Sequence, residues 1–205
     1  MRPRAAPPAP VAKGIKPAAR GGPQREVRLI GGQWKRSKLP VADRPGLRPT
    51  PDRVRETLFN WLGQDLSGWR CLDAFAGSGA LGFEAASRGA AEVVLVERDA
   101  VLAHSLRASQ ARLKADALRI ENADALAWMA RCGPGSFELV LLDPPFDAGL
   151  LPRALAAAAP LVADGGLLYV ECAQALVDAD LPAGFAVWRQ ARAGLLHYHL
   201  LRRST

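Results

Sequence analysis

Short apolar runs alternate with amphipathic stretches over most of the chain from Trp69 onward. Runs such as VVLV and LVLL are apolar on both faces, which is typical of parallel strands covered by helices on each side. The predicted strands are 70–74, 92–97, 118–122, 139–142 and 166–171, and the predicted helices are 80–88, 99–113, 125–131 and 149–161. Segments 185–189 and 195–201 are close enough in sequence to be antiparallel neighbours. The pattern therefore predicts an open, doubly wound α/β sheet with a terminal hairpin.

The residues before Trp69 follow a different pattern. Residues 1–24 combine six prolines and five basic residues with no acid, a composition that predicts disorder. Between residues 27 and 41, VRLIGG and QWKRSKLPV predict two short strands around a turn. Thr50 and Pro51 are expected to begin a helix, with Thr50 as its N-cap. We therefore divide the chain into a disordered basic Pro/Ala-rich tail (1–24), a basic N-terminal hairpin and helix (25–68) and an α/β domain (69–205).

Composition restricts the class of protein. The 205 residues suffice for one sizeable core, and no apolar run reaches the roughly 18–20 residues of a membrane span. A Pro/Ala stretch with two lysines stands where a secretory signal would have its apolar region. The three cysteines are widely spaced and form no CxxC pair, which argues against a disulfide framework and a zinc site. We expect a cytoplasmic protein with reduced thiols and no bound metal.

The net charge of +7 is distributed unevenly. Residues 1–55 hold 14 Lys and Arg against 3 acids, whereas the remaining 150 residues hold 13 against 17. A basic front on a neutral-to-acidic body favours a polyanionic partner. A solubilising tail would give the same composition, so charge alone leaves the two interpretations open.

A glycine-rich turn carries the first candidate chemistry. Gly77, Gly79 and Gly82 form G-x-G-x-x-G between a predicted strand and a predicted helix, and Glu97 ends the next strand twenty residues after Gly77. A carboxylate there can accept hydrogen bonds from the ribose of an adenosine cofactor. Asp73, four residues before Gly77, would repel a pyrophosphate but suits the ammonium and sulfonium groups of S-adenosylmethionine. The residues therefore favour a methyl donor over a nicotinamide dinucleotide.

A second candidate site is the sequence DPPF, which directly follows the LVLL strand. Two consecutive prolines fix the backbone and remove two N–H donors, so that the carbonyl of Pro144 is presented rigidly. Asp143 and this carbonyl can accept both hydrogens of one exocyclic amine and orient its lone pair toward an electrophilic methyl group. Phe146 offers a ring on which a planar base can stack. The pattern predicts an amino-methyltransferase centre.

These motifs resemble those of the bacterial 16S ribosomal RNA guanine-N2 methyltransferase family, the RsmD type. The resemblance runs from about Val27 to Tyr198 through RLIGGQWKRSKLP, LRPTPDRVRETLFNWL, LDAFAGSGALGFEA and DPPF. The glycine loop and DPPF are shared by many amino-methyltransferases, whereas the block RPTPDRVRETLFNW is much more restrictive.

The resemblance implies a mostly parallel, seven-stranded, Rossmann-like sheet of the class I methyltransferases, which use S-adenosylmethionine. It also implies methylation of one guanine of 16S ribosomal RNA in an assembled or partly assembled small subunit, by an enzyme we expect to be monomeric. The implied cofactor-binding residues are Asp73, Phe75, Gly77, Gly79, Glu97 and Asp124. The implied catalytic residues are Asp143, Pro144 and Phe146. From the sequence alone, Asp124 could equally be an ordinary helix N-cap.

The predicted RNA-binding residues belong to the basic front. They are Trp34, Lys35, Arg36, Lys38, Arg48, Arg53 and Arg55. The cations would bind phosphates, and Trp34 could stack on a base. We expect charge reversal at Arg53 and Arg55 to raise the KM for RNA far more than the Kd of S-adenosylmethionine.

Other functions remain open at this point. DNA adenine or a protein glutamine amide also presents a planar amine to such a site, although Asp at 143 and the basic block favour RNA. A ribosome-assembly factor without catalysis would have little use for intact Asp73, Glu97 and Asp143. A dehydrogenase gives DPPF no role.

Overall fold

The computed structural model describes residues 25–42, 44, 49–146 and 149–204. The tail 1–24 lies outside these residues, so its predicted disorder stays a prediction. Parallel strands and helices alternate over most of the chain, as the sequence predicts. The strands are β1 Arg25–Arg28, β2 Lys38–Val41, β3 Arg70–Asp73, β4 Glu92–Val96, β5 Leu118–Glu121, β6 Phe137–Leu142, β7 Val162–Cys172, β8 Phe185–Ala193 and β9 Leu196–Arg203. The helices are α1 Asp52–Trp61, α2 Ala80–Ser87, α3 Ala100–Leu113, α4 Ala125–Met129 and α5 Leu150–Ala158, with 3₁₀ turns at Ala159–Leu161 and Asp178–Asp180.

Seven strands form the main sheet in the order β5-β4-β3-β6-β7-β9-β8. The first five are parallel, whereas β9 runs antiparallel to both β7 and β8. This agrees with the expected doubly wound, mostly parallel seven-stranded sheet. The chain starts the sheet in the middle at β3, moves outward to β5 and then returns to the other side of β3 with β6. The polypeptide therefore changes direction between β3 and β6, which is the point where α/β sheets bind ligands.

The N-terminal elements are packed into the same core as the sheet. Strands β1 and β2 pair antiparallel as the predicted hairpin. Leu29, Leu39 and Leu58 are fully buried in one apolar cluster with Phe83 of α2 and Cys71 of β3. The opposite face of the sheet is covered by α4 and α5 in a second cluster. The hairpin and α1 are thus held against the α/β body by shared apolar burial.

The start of α1 differs from the expectation. The helix begins at Asp52 after Pro51, and no side chain caps its N-terminus. Thr50 is buried, and its hydroxyl instead donates a 2.8 Å hydrogen bond to Glu171 at the end of β7. The predicted N-cap is therefore wrong: the N-cap residue is Pro51, whose side chain has no acceptor for the free N–H groups of the first turn, and Thr50 lies one residue before it. None of the helices in the described ranges is long and apolar enough to cross a membrane.

Candidate active site

The predicted site residues meet at one edge of the sheet. Asp73, Glu97 and Asp143 stand at or just beyond the carboxyl ends of β3, β4 and β6, which are neighbouring strands. Because the carboxyl ends of parallel strands open at the same edge, these side chains surround the crevice between β3 and β6. Residues that are 24 to 70 positions apart in sequence are brought together by sheet order alone.

The glycine turn is closed tightly over the end of β3. Gly77 and Gly79 have φ angles of 53° and 78°, a backbone region that costs other residues strain. A Cβ atom at Gly79 would lie 2.6 Å from the side chain of Leu106 and 2.8 Å from that of Phe83. The turn therefore requires glycine at position 79 for conformation and for space. It brings bare backbone to the crevice and leads directly into α2.

Glu97 holds this turn in place with one oxygen. Its Oε2 accepts the N–H of Gly77 at 2.8 Å, and its Oε1 accepts the N–H of Asp99 at 2.7 Å. A carboxylate has about four lone-pair sites, so each oxygen can still accept a further hydrogen bond. Glu97 can therefore support the loop and bind two hydroxyl groups at the same time.

Asp73 is almost completely buried below the turn. Its Oδ2 accepts the N–H of Gly82 at 2.9 Å, which joins β3 to the first turn of α2. Burial raises the pKa of Asp73 to about 7, the Gly82 N–H opposes this, and the charges of Glu97 and Glu171 add to it. A cation placed beside Asp73 would relieve this cost.

Glu171 is a fourth acidic residue at the same edge, and the sequence analysis assigned it no role. The carboxylate of Glu171 is 2% exposed, and its Oε1 accepts hydrogen bonds from Thr50 Oγ1 and from Tyr169 Oη at 3.0 Å. Burial raises its pKa to about 7, against the opposing hydrogen bonds and the charge of Arg55. The only signal in the sequence is an acid that ends an otherwise apolar strand.

The pKa of Asp143 is raised by the acids on both sides. Burial raises its pKa well above the ordinary value, the charges of Glu171 and Asp73 raise it further, and the Thr50 hydroxyl opposes the shift. Burial and like-charge repulsion thus raise the pKa of three carboxyl groups on neighbouring strands. Among the described residues, no group of three or more His, Cys, Asp or Glu side chains is arranged to hold a metal ion.

The DPPF turn forms one wall of an open cavity of about 490 Å³. Pro144, Pro145 and Phe146 face Glu171 and the segment after β7 across this space. Phe146 is 59% exposed, which is unusual for a phenylalanine. The cavity is larger than a nucleobase, and both flat apolar surfaces and carboxylate oxygens line it.

Asp124 and Phe75 complete the predicted cofactor set. Asp124 is exposed beyond β5, and its side chain accepts the N–H of Ala127 as the N-cap of α4. The N-cap interpretation is therefore confirmed, while a contact with adenine stays a prediction. Phe75 is half-buried in the turn after β3 and packs on the apolar cluster beneath α4 and α5.

The predicted RNA-binding residues divide into two groups. Lys35 and Arg36 are exposed on the connection between β1 and β2, and the exposed Lys38 begins β2 and forms a 2.7 Å ion pair with Glu26. The half-buried Trp34 packs on the core, and its backbone N–H donates to Ser87 Oγ at 2.9 Å. These residues form the tip of a hairpin that is anchored on α2. Arg53 is exposed on α1, and Arg48 lies outside the described residues.

The prediction for Arg55 is wrong. Its side chain is completely buried, with ion pairs to Asp52 at 2.5 Å and Glu84 at 3.3 Å. Its remaining donors bind the carbonyl oxygens of Thr50 and Arg28. Every nitrogen of the guanidinium group is therefore occupied inside the protein, and Arg55 cannot contact an RNA phosphate. It joins α1, α2 and the hairpin instead.

Known proteins resemble this chain in sequence and in fold. Residues 27–202 match the family described as conserved hypothetical protein 95. Ribosomal RNA small subunit methyltransferase D of Escherichia coli K12 is 44% identical over 180 residues, covering 87% of this chain and 90% of that protein. The protein of the same name from Haemophilus influenzae is 38% identical over 182 residues, covering 85% and 93%. The solved structure of Escherichia coli yhhF, described as a methyltransferase, has a TM-score of 0.78 at 43% identity and covers 88% of this chain and 99% of that one.

Proposed function

We propose that this chain, which belongs to the RsmD family, transfers a methyl group from S-adenosylmethionine to the exocyclic N2 amine of a guanine in small-subunit ribosomal RNA. Membership of the family makes the protein a ribosomal RNA methyltransferase. The observation that supports S-adenosylmethionine as the donor and a guanine N2 amine as the acceptor is the position of the DPPF turn. It ends β6 at the crevice where the glycine turn and Glu97 end β3 and β4.

The donor side of the crevice fits S-adenosylmethionine in charge and shape. Glu97 keeps free lone pairs on both oxygens for two ribose hydroxyls while it fixes the N–H of Gly77. The acidic group of Asp73, Asp143 and Glu171 favours a cation, because a positive charge lowers the cost of ionising buried carboxyl groups. When bound, the cofactor supplies an electrophilic methyl group on a sulfonium that is already a good leaving group. The protein therefore has to position the acceptor more than to activate the donor.

The acceptor side is the DPPF turn. Asp143 and the carbonyl of Pro144 would accept the two N2 hydrogens, which leaves the nitrogen lone pair directed at the methyl group. The nitrogen gains a methyl group and loses a proton, and Asp143 is the carboxylate placed to receive it. The raised pKa of Asp143 makes it a better proton acceptor than an exposed aspartate. Phe146, exposed at the mouth of the cavity, would stack on the base.

The substrate we propose is the RNA of an assembled or partly assembled small subunit, bound by a monomeric enzyme in the cytoplasm. Lys35, Arg36, Lys38 and Arg53 provide exposed cations for phosphates. A guanine in an exposed RNA loop reaches the cavity at a lower unstacking cost than one in a duplex.

The test uses methyl-labelled S-adenosylmethionine with small subunits that lack native methylation, followed by digestion to nucleosides and mapping of the labelled position. We expect the label in N2-methylguanosine, and we expect Asp143→Ala to abolish it. Glu138→Gln is the matched control, because Glu138 lies on β6 and pairs with Arg70 away from the DPPF turn. Label in another nucleoside, or equal labelling by wild type and Asp143→Ala, would refute the proposal. A parallel reaction with naked RNA shows whether the enzyme requires the assembled particle.

A further inference from the structure

Glu171 stands next to Asp143 because of the register between β6 and β7. Leu141 pairs with Tyr169 and Leu142 with Val170 in this parallel pair. The next step along both strands brings Asp143 beside Glu171. Paired residues of a parallel sheet project to the same face, and neighbouring strands are about 4.8 Å apart. Two carboxylates thus stand side by side at this edge of the sheet, Glu171 in the cavity lining and Asp143 directly before Pro144 of that lining.

The carboxylate of Glu171 is fixed at one oxygen and available at the other. Thr50 of the N-terminal segment and Tyr169 of β7 both donate to Oε1. Within the described ranges, Oε2 has no hydrogen-bond partner. Glu171 also lines the cavity beside Pro144 and Phe146. A buried acceptor that is held rigidly and left with free lone pairs is suited to bind a donor that enters the cavity.

Nucleobase amines differ in the atom that lies next to them on the Watson–Crick edge. Guanine N2 is adjacent to N1–H, a donor. Adenine N6 is adjacent to N1 and cytosine N4 to N3, which are both acceptors. A carboxylate beside the amine-binding group therefore attracts guanine and repels the two other bases that carry an exocyclic amine.

We infer that Glu171 is a specificity-determining residue that accepts the N1–H of the target guanine while Asp143 and the Pro144 carbonyl hold its N2 amine. This inference rests on the proposed function, since it concerns the same cavity and the same base. It gives a function to a buried acid that stands beside two other acids. Thr50 gains a role as well, because its hydroxyl holds the carboxylate in the position that reads the base.

The experiment compares guanine with 2-aminopurine at the RNA position mapped above, in reconstituted small subunits. 2-Aminopurine keeps the N2 amine but has a lone pair at N1 and lacks O6. We expect wild type to prefer guanine by at least about 100-fold in kcat/KM, because a buried acceptor would face an acceptor. Glu171→Gln should reduce this preference by at least about tenfold, because the amide can present either its oxygen or its N–H group. The loss of O6 affects both enzymes alike and cancels in the comparison.

The pH dependence of the wild-type preference for guanine over 2-aminopurine gives a second measurement. A neutral Glu171 can donate to N1 of 2-aminopurine, whereas an ionised one cannot. We expect the wild-type preference for guanine to increase between pH 6 and 8 and that of Glu171→Gln to stay constant. Asp73 and Asp143 are the acids whose charges interact with Glu171, Arg55 is the nearby cation, and Tyr169, whose pKa is raised well above its ordinary value, stays protonated in this range. Their effects on rate apply to both bases and leave the ratio unchanged.

An unchanged preference in Glu171→Gln, with equal loss of activity on both bases, would overturn the inference and make Glu171 a purely structural acid. A preference independent of pH in wild type would overturn it as well. Failure of wild type to methylate guanine at all refutes the proposed function itself, and is therefore distinguishable from either result. Glu138→Gln again serves as the control and should keep the wild-type preference.

Discussion

Buried acids occur at two places in this molecule, in opposite environments. Glu84, in the middle of α2, is completely buried and accepts hydrogen bonds from the N–H groups of Ile30 and Gly31 at 2.9 and 2.7 Å. It also pairs with Arg55 and Arg88. At the edge of the sheet, Asp143 and Glu171 stand beside another acid and share one hydroxyl group. One site compensates a buried charge completely, whereas the other places like charges together.

The difference separates a structural acid from functional ones. Burial raises the pKa of Glu84, but two backbone N–H groups and two guanidinium groups counteract the shift. At the edge of the sheet the neighbouring acids add to the effect of burial. In such a site the ionisation of the buried carboxyl groups stays unfavourable until a cation and the hydrogen-bond donors of a nucleobase enter. This property is characteristic of a binding centre. We therefore expect substitutions at Glu84 to lower stability and substitutions at the edge to change activity.

The largest effect should follow from Asp143→Asn. The amide cannot accept the proton that leaves N2, so kcat should fall by about 10²–10⁴-fold. Thermal unfolding at pH 8 should show no loss of stability, because one of three crowded charges is removed. Single-turnover rates and the melting temperature measure the two quantities. A melting temperature well below that of wild type would place Asp143 among the structural acids.

Glu84→Ala should give the reverse result. Removal of this carboxylate takes away the fully buried ion-pair partner of Arg55 and the partner of Arg88, which should lower the free energy of unfolding by about 3–5 kcal/mol. Urea denaturation measures this loss. The fraction of protein that remains folded should keep nearly the wild-type kcat. Glu92→Ala is the matched control, because that acid is exposed and its closest cation is 4.0 Å away.

Glu171→Gln should stabilise the protein without bound cofactor, but only at higher pH. The pKa of Glu171 is about 7 in the folded protein and near its ordinary value of 4.5 when unfolded. The folded state thus binds more protons between these values, and stability falls as pH rises through this range. The variant should gain up to about 3 kcal/mol at pH 8 and nothing at pH 4. Melting curves at both values test the sign, and a gain that is independent of pH would contradict it.

The smallest effect concerns RNA binding. Arg53→Glu should raise the KM for RNA about tenfold and reduce the salt dependence of binding, without a change in the Kd of S-adenosylmethionine. Arg131→Glu, at another exposed position, is the control. Arg55→Glu should instead prevent folding, since it places two acids together in the core. Equal effects of the Arg53 and Arg131 variants would remove Arg53 from the RNA-binding surface.

The sequence predicts the fold well because the relevant signals are local. Strands such as 92–97 and 139–142 are recognisable from apolar runs, and the glycine turn follows from residues that are close in the chain. The parallel arrangement then brings Asp73, Glu97 and Asp143 together without further information. Each of these residues ends a strand, and the strands open at one edge.

Prediction from the sequence fails where the environment of a side chain depends on residues that are distant in the chain. Arg55 belongs to a basic block, yet it shares a helix face with Leu58 and Phe59, and its fully buried partner Glu84 is 29 residues away. Glu171 becomes adjacent to Asp143 only through strand register, and its bond to Thr50 spans 121 residues. An arginine in phase with buried apolar residues was the available signal for Arg55. No local pattern shows which acids will become neighbours.

The position of β9 determines the order in which the sheet can be completed. This strand follows β8 in the chain but lies between β7 and β8, and among the described strands β8 has no other neighbour in the sheet. During synthesis, β8 emerges before the strand on which it must pair, so it cannot join the sheet when it first appears. Pairing of β7 with the final hairpin has to wait for residues 196–203. The strand that carries Glu171 therefore keeps an unpaired edge until β9 has been synthesised, and Glu171 gains its cross-strand neighbour Tyr198 only after that step.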